Sequence, residues 1–414
     1  MKIKYWIGPL LVAGSFLDAS KEKDVTLKQR NISVDFSKTV SSVSNKINRA
    51  LVTSNLPGAS VVVHVNGRPV VKMGAGFSDI ENNTPFHSQT SMRIASISKL
   101  ITSMITLRLY QQEKLDLDSS VAELLQSKNL NFLYQDTVQD ISVRQLLNHT
   151  AGIRHYKSSE VCDSDAEEFI CNRNFPTVYD GLEMFKHDEL ITPPGRKYNY
   201  TTFGYSLLSF VLEQASEVNF ATLVSDFTKA LDLKETRLDN HKNIIPNRCR
   251  YYRTEDGKLI NSPFVDNSCK WAGGGMVSTA EDIAKLGDIL MYCYQSKSSK
   301  NFLTCVDTMI ADNEVTRGQR TNGTVHHYGL GVTVDHPLKE NGQTRQRFQF
   351  SHTGGAVGAS SILLVRPSTS TVEDQPSGIT VVIFCNHEKG GTVIRLANEI
   401  ANMVEEEIHL QSGF

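Results

Sequence analysis

Ser96 and Lys99, a serine and a lysine three positions apart, are well suited to covalent chemistry. Positions i and i+3 lie on one face of an α-helix, so the hydroxyl and the amine can approach to hydrogen-bond distance. A lysine activates a serine when burial or a nearby cation lowers the amine pKa by several units. Ser-x-x-Lys is also frequent by chance. By itself, the pair is more typical of an ordinary helix with polar residues near its start than of a catalytic site.

The segment around the pair is predicted to be one central helix. Between residues 92 and 109, apolar side chains cover most of the helix circumference, which indicates a buried position rather than a surface one: Ile97, Leu100, Ile101, Met104, Ile105, Leu107 and Leu109. Burial of this kind would lower the pKa of Lys99. The Ser96 N–H, in the first turn, would point towards a developing anion.

Two further stretches add candidate site residues. Tyr200 follows Pro193-Pro194-Gly195 on a loop at the start of a predicted helix over 202–216, where its hydroxyl can relay a proton. His352 begins a His-Thr-Gly-Gly run before an apolar strand, where it can serve as a donor or a cation at a strand edge. Each residue alone also fits a structural role, as a core tyrosine or a turn histidine. The combination is far more specific for acyl-transfer chemistry.

Composition limits the classes of partner. The 414 residues contain 43 Lys and Arg against 45 Asp and Glu, with a formal charge of −2 and no dense basic block. This balance does not favour nucleic acid or an anionic membrane surface, so small molecules or neutral polymers are the expected partners. No cysteine pair has Cys-x-x-Cys spacing, and neither a metal nor a cofactor is expected.

The start of the chain resembles a secretory leader. Residues 1–20 have a short basic start and an apolar run from Tyr5 to Leu17, with a membrane-embedded or buried segment as the alternative; residues 21–37 read as a polar linker. Glycosylation triplets occur at Asn31, Asn82 and Asn322. Six of the seven cysteines form close sequential pairs, which predicts disulfides in an oxidising compartment: Cys162/Cys171, Cys249/Cys269 and Cys293/Cys305.

The order of elements indicates one domain over 38–414. A hairpin is predicted around Asn66-Gly67, a helix over 141–156 that ends at a glycine, strands over 347–365 and 379–386, and a final helix over 392–408. Strands at both ends of the chain predict one sheet built from the two termini. The fold class is therefore α/β (α+β), with a mainly helical insertion at roughly 115–260.

From Val40 to its C-terminus, the chain resembles the superfamily of serine β-lactamases and penicillin-binding proteins. The similarity is to the class C and D-Ala-D-Ala carboxypeptidase branch and especially to its mitochondrial animal members. It is carried by the segments Arg93–Lys99, Gly152–Tyr156, Tyr200–Tyr205, Val265–Gly275 and Ser351–Ser361. The resemblance implies the β-lactamase/transpeptidase-like fold, with an antiparallel sheet and flanking helices.

The resemblance also implies roles for individual residues. Ser96 is the acylated nucleophile, Lys99 its partner and Tyr200 the general base. His352-Thr353-Gly354 stands where the superfamily has Lys-Thr-Gly, and the N–H groups of Ser96 and Gly355 form the oxyanion hole.

Two departures bear on substrate recognition. Thr202 replaces the asparagine of the bacterial Tyr-x-Asn motif, which contacts the substrate amide. His352 replaces a permanent cation with a group whose ordinary pKa is about 6.5. Both changes weaken recognition of penicillin-like substrates. If charged His352 binds a substrate carboxylate, affinity should fall as pH rises through its pKa.

These features predict a cofactor-free serine hydrolase that forms an acyl-enzyme with a peptide or small acyl substrate. Peptidase or amidase/esterase activity is expected, with a link to lipid metabolism implied by the mitochondrial relatives. The alternatives are a filament-forming or other homo-oligomeric scaffold with a vestigial site, and a module that binds peptidoglycan fragments. Secretion is the expected location; the mitochondrial intermembrane space is the alternative.

If Ser96 and Lys99 act as one unit, the rate losses caused by replacing each of them should not be additive. We expect Ser96→Ala, Lys99→Ala and the double variant to retain similar residual rates of acyl transfer, measured under single-turnover conditions. A double variant slowed by the product of the two single effects would show that the residues act independently.

Overall fold

The computed structural model describes residues 34–125, 130–157, 168–296, 298, 301–319, 324–340, 343–369 and 375–412. The leader and most of the linker therefore lie outside the described residues, as do Asn31, Asn322 and Cys162. In the described part of the chain, no helix is both long and apolar enough to cross a membrane.

One large antiparallel sheet organises the fold, as predicted. In chain order its strands are β1 (Gly58–Val65), β2 (Arg68–Asp79), β3 (Thr84–Pro85), β11 (Gly318–Gln319), β12 (Val325–Tyr328), β13 (Thr333–Asp335), β16 (Gln349–Ala356), β17 (Ala359–Pro367) and β18 (Gly378–Cys385). The spatial order is β11-β12-β13-β16-β17-β18-β1-β2-β3. Because β1 pairs with β18, for example at Val62 opposite Val382, the two ends of the chain meet in the middle of the sheet.

Shorter strands complete the β-structure. A three-stranded sheet joins β4 (Met92–Arg93), β10 (Met276–Ser278) and β7 (Arg237–Leu238). Three hairpins pair β5 (Phe132–Tyr134) with β6 (Thr137–Gln139), β8 (Tyr252–Glu255) with β9 (Lys258–Asn261), and β14 (Leu338–Glu340) with β15 (Gln343–Gln346).

Helices cover both faces of the large sheet and fill the insertion. They are α1 (Ser37–Thr53), α2 (Ile97–Gln111), α3 (Val121–Leu124), α4 (Val143–Leu147), α5 (Val178–Gly181), α6 (Thr202–Ser216), α7 (Phe220–Ala230), α8 (Trp271–Gly274), α9 (Ala280–Gln295), α10 (Val306–Ile310) and α11 (Gly390–Ser412). The predicted helices over 202–216 and 392–408 are α6 and the middle of α11. The 115–260 segment contains short hairpins as well as helices.

The side chains of β1 alternate between two apolar cores. Val61 and Val63 pack in a cluster with residues of α1 and α11, whereas Val62 packs on the opposite side with residues of α2 and α9. Every residue of β1 is buried, as expected of a strand covered on both faces. The second core surrounds α2, so the sheet and the insertion together bury the helix that carries Ser96 and Lys99.

The predicted hairpin and its turn are confirmed. Asn66 and Gly67 both have positive φ, at 50° and 73°, and Val65 pairs with Arg68 across them. A two-residue turn with both central residues in the left-handed region is type I′, for which Asn-Gly is favoured.

The predicted helix over 141–156 is wrong in length. Only α4 is helical there, started by a capping box between Ser142 and Gln145. His149 then adopts a positive φ of 61°, and its Nδ1 accepts a hydrogen bond from the Thr201 N–H at 3.2 Å. The helix ends here because a residue in the left-handed region cannot continue it. The hydrogen bond from Thr201 holds His149 in place at this point.

The structure does not contain the predicted disulfides at two of the three pairs. Cys249, Cys269, Cys293 and Cys305 are all free thiols. The third pair is not described in full, and its Cys171 is also free. Closeness in sequence did not predict bonding, because a disulfide requires the two Cβ atoms to face each other at a specific separation.

Beneath the turn that leads into α2, Asp239 joins the buried Arg93 to the partly exposed Arg248. It accepts from Arg93 Nε at 3.0 Å and pairs with Arg248, and Asn267 Nδ2 donates to it at 2.6 Å. The side chains of Arg93 and Asp239 are only 5% and 2% exposed. We expect Asp239→Ala to lower the free energy of unfolding by about 3–5 kcal/mol, because it leaves buried positive charge without a partner.

Urea unfolding measures this loss. Asp118→Ala is the matched control, since Asp118 pairs with Arg144 but is 66% exposed and should contribute less than about 1 kcal/mol. Equal losses in the two variants would contradict the structural role of the Asp239 cluster.

Candidate active site

The candidate nucleophile lies on a tight turn between β4 and α2. Ala95 has a φ of 48°, which is unfavourable for a residue with a side chain, and Ser96 follows as the first residue before α2. The turn is held by the Ile94 carbonyl, which accepts the Ser361 hydroxyl of β17 at 2.9 Å. As a result, Ser96 lines an open cavity instead of packing in the core.

The predicted contact between the Ser96 hydroxyl and the Lys99 amine is present in the structure. Lys99 is 0% exposed, and its Nζ lies 3.1 Å from Ser96 Oγ, 3.2 Å from Thr202 Oγ1 and 2.5 Å from the Gly273 carbonyl oxygen. All three partners are uncharged oxygen atoms.

This environment holds the pKa of Lys99 well below its ordinary value of 10.5. Burial is the main cause, because removal from water penalises the ammonium form, and the positive charge of Lys270 adds to it. The partners of the amine offer dipoles but no compensating negative charge. Lys99 therefore meets the condition that a lysine must satisfy to act as a base.

Two glycines permit the close approaches that build the site. A Cβ at Gly273 would lie 2.6 Å from the Thr202 side chain, so only glycine lets this carbonyl reach Lys99. A Cβ at Gly354 would lie 2.4 Å from the Ile94 carbonyl oxygen, so β16 can lie beside the nucleophile turn.

Tyr200 lies beside the nucleophile, as the sequence predicted. Its phenol lines the same cavity as Ser96, and its ring lies 4.7 Å from Lys99 Nζ and 4.4 Å from the His149 ring. Burial raises the pKa of the Tyr200 phenol far above neutral pH. The hydroxyl is therefore protonated in the resting site, which disfavours a resting tyrosinate base.

His352 also lines the cavity, but the structure holds it neutral, contrary to the expected partial charge. Burial lowers its pKa from 6.5 to about 3, because removal from water penalises the imidazolium form. Both ring nitrogens are engaged: Nδ1 donates to the Thr353 carbonyl at 2.8 Å, and Nε2 accepts from the Tyr328 hydroxyl at 2.9 Å. The sequence analysis placed His352 at a strand edge, whereas the structure buries it in β16 with 4% of the residue exposed.

The remaining predicted residues are brought together as well. Thr202 begins α6 next to Lys99, and Thr353 and Gly355 lie on β16 at the cavity wall. A Cβ at Gly355 would meet nothing within 4 Å, so this part of β16 faces open space. The cavity has a volume of about 380 Å³.

Lys270, His155 and Tyr328 are among the cavity residues that had no assigned role in the sequence analysis. Lys270 Nζ donates to the Phe169 carbonyl at 3.1 Å, and His155 Nδ1 accepts from the Thr202 N–H at 3.3 Å. Both fall within segments that carried the family resemblance, which was the available signal. Tyr328 had none, because its importance comes from its bond with His352, 24 positions away.

The depressed pKa of His352 should appear in the pH dependence of stability. Below pH 6.5 the unfolded chain binds a proton that the folded chain does not bind until about pH 3, so stability falls as pH falls through this window. At pH 5 the loss from this one group is about 2 kcal/mol.

Chemical denaturation of wild type and His352→Gln at pH 7.5 and 5.0 tests this. We expect the variant to show a smaller loss on acidification, whatever its stability at pH 7.5. An equal pH dependence in both proteins would mean that His352 titrates normally.

The family model described as Beta-lactamase matches residues 43–402. The human mitochondrial serine beta-lactamase-like protein LACTB is 31% identical over 88% of this chain and 80% of its own length.

Solved structures share the fold at low identity. EstCE1, a hydrolase with promiscuous acyltransferase activity, superposes with a TM-score of 0.70 at 18% identity, over 88% of this chain and 99% of its own. The octameric penicillin-binding protein homologue from Pyrococcus abyssi has a TM-score of 0.68 at 19% identity, over 89% and 78% of the two chains. With the matched family model and a nucleophile turn of this architecture, the chain belongs to the beta-lactamase family of serine hydrolase-like proteins.

Proposed function

We propose that this protein is a serine hydrolase that acts through an acyl-enzyme on Ser96, with peptidase or amidase/esterase activity. The observation that carries the proposal is the buried Lys99 amine, 3.1 Å from the Ser96 hydroxyl and surrounded by uncharged partners. Ordinary packing gives no reason to bury a lysine without an anion, because desolvation of the ammonium is costly. A neutral amine beside a serine is the arrangement that general-base activation requires.

The hydrogen bonds of Lys99 fit a neutral amine. A deprotonated lysine has two N–H donors and one lone pair. The Gly273 carbonyl and Thr202 Oγ1 take the two donors, and the lone pair is left for the Ser96 hydroxyl proton. Ser96 Oγ then attacks the substrate carbonyl carbon, forming the new C–O bond as its proton passes to Lys99.

Tyr200 serves as the proton relay in this proposal. Because its phenol is protonated at rest and lines the cavity with Ser96, it can donate to the leaving group while it regains a proton from Lys99. The N–H groups of Ser96 and Gly355 would stabilise the carbonyl oxyanion. Water then hydrolyses the ester on Ser96 with the same groups acting in reverse.

The side chains around His352 and Thr202 favour uncharged acyl substrates. Neutral His352 offers no charge to a carboxylate, and Thr202, at the asparagine position of the bacterial motif, is engaged by Lys99. Neutral esters and amides are therefore the proposed substrate class, in preference to penicillin-like acids. The acyltransferase activity named for EstCE1 is consistent with such chemistry on this fold.

A homo-oligomeric scaffold is the second candidate. The Pyrococcus abyssi homologue is octameric, so assembly occurs within this fold. A scaffold does not depend on Ser96 or Lys99.

We also propose a mitochondrial location, as in the relatives, in place of the secretion that the leader predicted.

Labelling with a fluorophosphonate probe, followed by mass spectrometry of the adduct, tests the enzymatic proposal. We expect one adduct on Ser96, with a labelling rate that rises with pH as Lys99 loses its proton. Ser96→Ala should abolish labelling, whereas Ser41→Ala, on the exposed face of α1, should not change it. Equal labelling of wild type and Ser96→Ala, or no labelling of folded wild type, would leave the scaffold as the better assignment.

A further inference from the structure

A second cluster of chemically active side chains lies at the far edge of the large sheet. It consists of Asp312, His327 and His336, each of which offers one ligand atom within 4.8 Å of the others. His327 Nδ1 lies 2.9 Å from His336 Nε2 and 3.6 Å from Asp312 Oδ1. His327 belongs to β12, His336 directly follows β13, and Asp312 lies just after α10.

The hydrogen bond on the other side of His327 orients its lone pair into the cluster. Its Nε2 donates to the Ile310 carbonyl at 2.9 Å, which leaves Nδ1 as the unprotonated nitrogen. The side chain is 1% exposed, so the ring is held in place by its surroundings. Metal-binding histidines are commonly fixed in this way, with the second ring nitrogen donating to a backbone carbonyl.

Two of the three distances between the ligand atoms fit a small divalent ion, and the third, between His336 and Asp312, is within 4.8 Å. Zinc bonds to nitrogen and oxygen at about 2.0–2.1 Å, and tetrahedral angles then separate neighbouring ligand atoms by about 3.3 Å. The distances of 2.9 Å and 3.6 Å lie on either side of that value, within a few tenths of an ångström. We propose that Asp312, His327 and His336 form a binding site for Zn²⁺ or a similar divalent transition metal ion.

The ligand types decide the class of metal. Two imidazoles and one carboxylate suit zinc and its neighbours, whereas Ca²⁺ and Mg²⁺ prefer oxygen ligands alone. Three protein ligands leave a fourth position for water. On binding, His336 gives up the Nε2 proton that it shares with His327 and uses its other tautomer.

Arg317 affects the metal affinity of the site through its contacts with Asp312. Its Nε donates to Asp312 Oδ1 at 3.0 Å, and its Nη2 pairs with Oδ2. This guanidinium holds the carboxylate towards the histidines, as outer partners of metal ligands do, but its charge also opposes a cation. The affinity should therefore be lower than that of a closed four-ligand zinc site.

The location connects the cluster to the cavity wall. His327 is followed by Tyr328, whose hydroxyl bonds to His352, and the Thr316 hydroxyl bonds to both the N–H and the carbonyl of Tyr328. A metal ion would cross-link the Asp312 segment, β12 and the end of β13. It would thereby stabilise the strand that supports His352.

Titration of the EDTA-treated, dialysed full chain with ZnCl₂ against a chromophoric chelator tests the proposal. We expect one zinc ion per chain, and a rise in the unfolding temperature when zinc is added. His336→Ala and Asp312→Asn should each weaken zinc binding by about tenfold or more and remove the thermal shift. His187→Ala, which removes an exposed histidine elsewhere, should behave as wild type.

Asp312→Asn is nearly isosteric at an exposed position, so it remains decisive if His336→Ala fails to fold. Labelling of Ser96 by the acyl probe is not used as the readout, so failure of the hydrolase proposal and failure of the metal proposal can be distinguished. Equal zinc affinity in wild type and the folded variants would overturn the assignment, as would the absence of zinc binding to wild type at micromolar concentrations.

Discussion

A lysine amine buried among uncharged oxygen atoms is the constraint on which the rest of the site depends. Removal of an ammonium from water costs several kcal/mol unless an anion compensates it, and Lys99 has only hydroxyl and carbonyl partners. The fold tolerates a buried lysine without an anion because the neutral amine carries no charge to desolvate. This neutral form also makes Lys99 able to take a proton from Ser96.

The structure around Lys99 encloses the amine and supplies its hydrogen-bond partners. Gly273 brings a carbonyl into reach, Thr202 supplies a hydroxyl, and α2 is buried between the sheet and the insertion. The same enclosure lowers the pKa of His352 and raises that of Tyr200. One physical cause, desolvation, thus sets the protonation of all three groups, and it leaves each of them uncharged at rest.

The residue type at position 352 did not by itself determine the protonation state of the side chain. At its ordinary pKa a histidine in place of lysine reads as a titratable cation, and burial reverses that conclusion. The cysteine pairs were misleading in a similar way, since proximity in sequence does not orient two Cβ atoms. The Asp312 cluster could not be anticipated, because its members become neighbours only when β12 pairs with β13.

By itself, the sequence determined the elements whose signals are local. The Asn66-Gly67 turn requires two residues in the left-handed region, and α2 and α6 were predicted from apolar stretches long enough to form buried helices. The Ser96–Lys99 contact also follows locally, since helix geometry sets the i to i+3 distance. Tertiary structure alone decided the protonation of Lys99 and His352, the end of α4 at His149 and the enclosure of the cavity. Each of these depends on desolvation or on contacts between distant segments, and neither quantity is encoded at any single position in the chain.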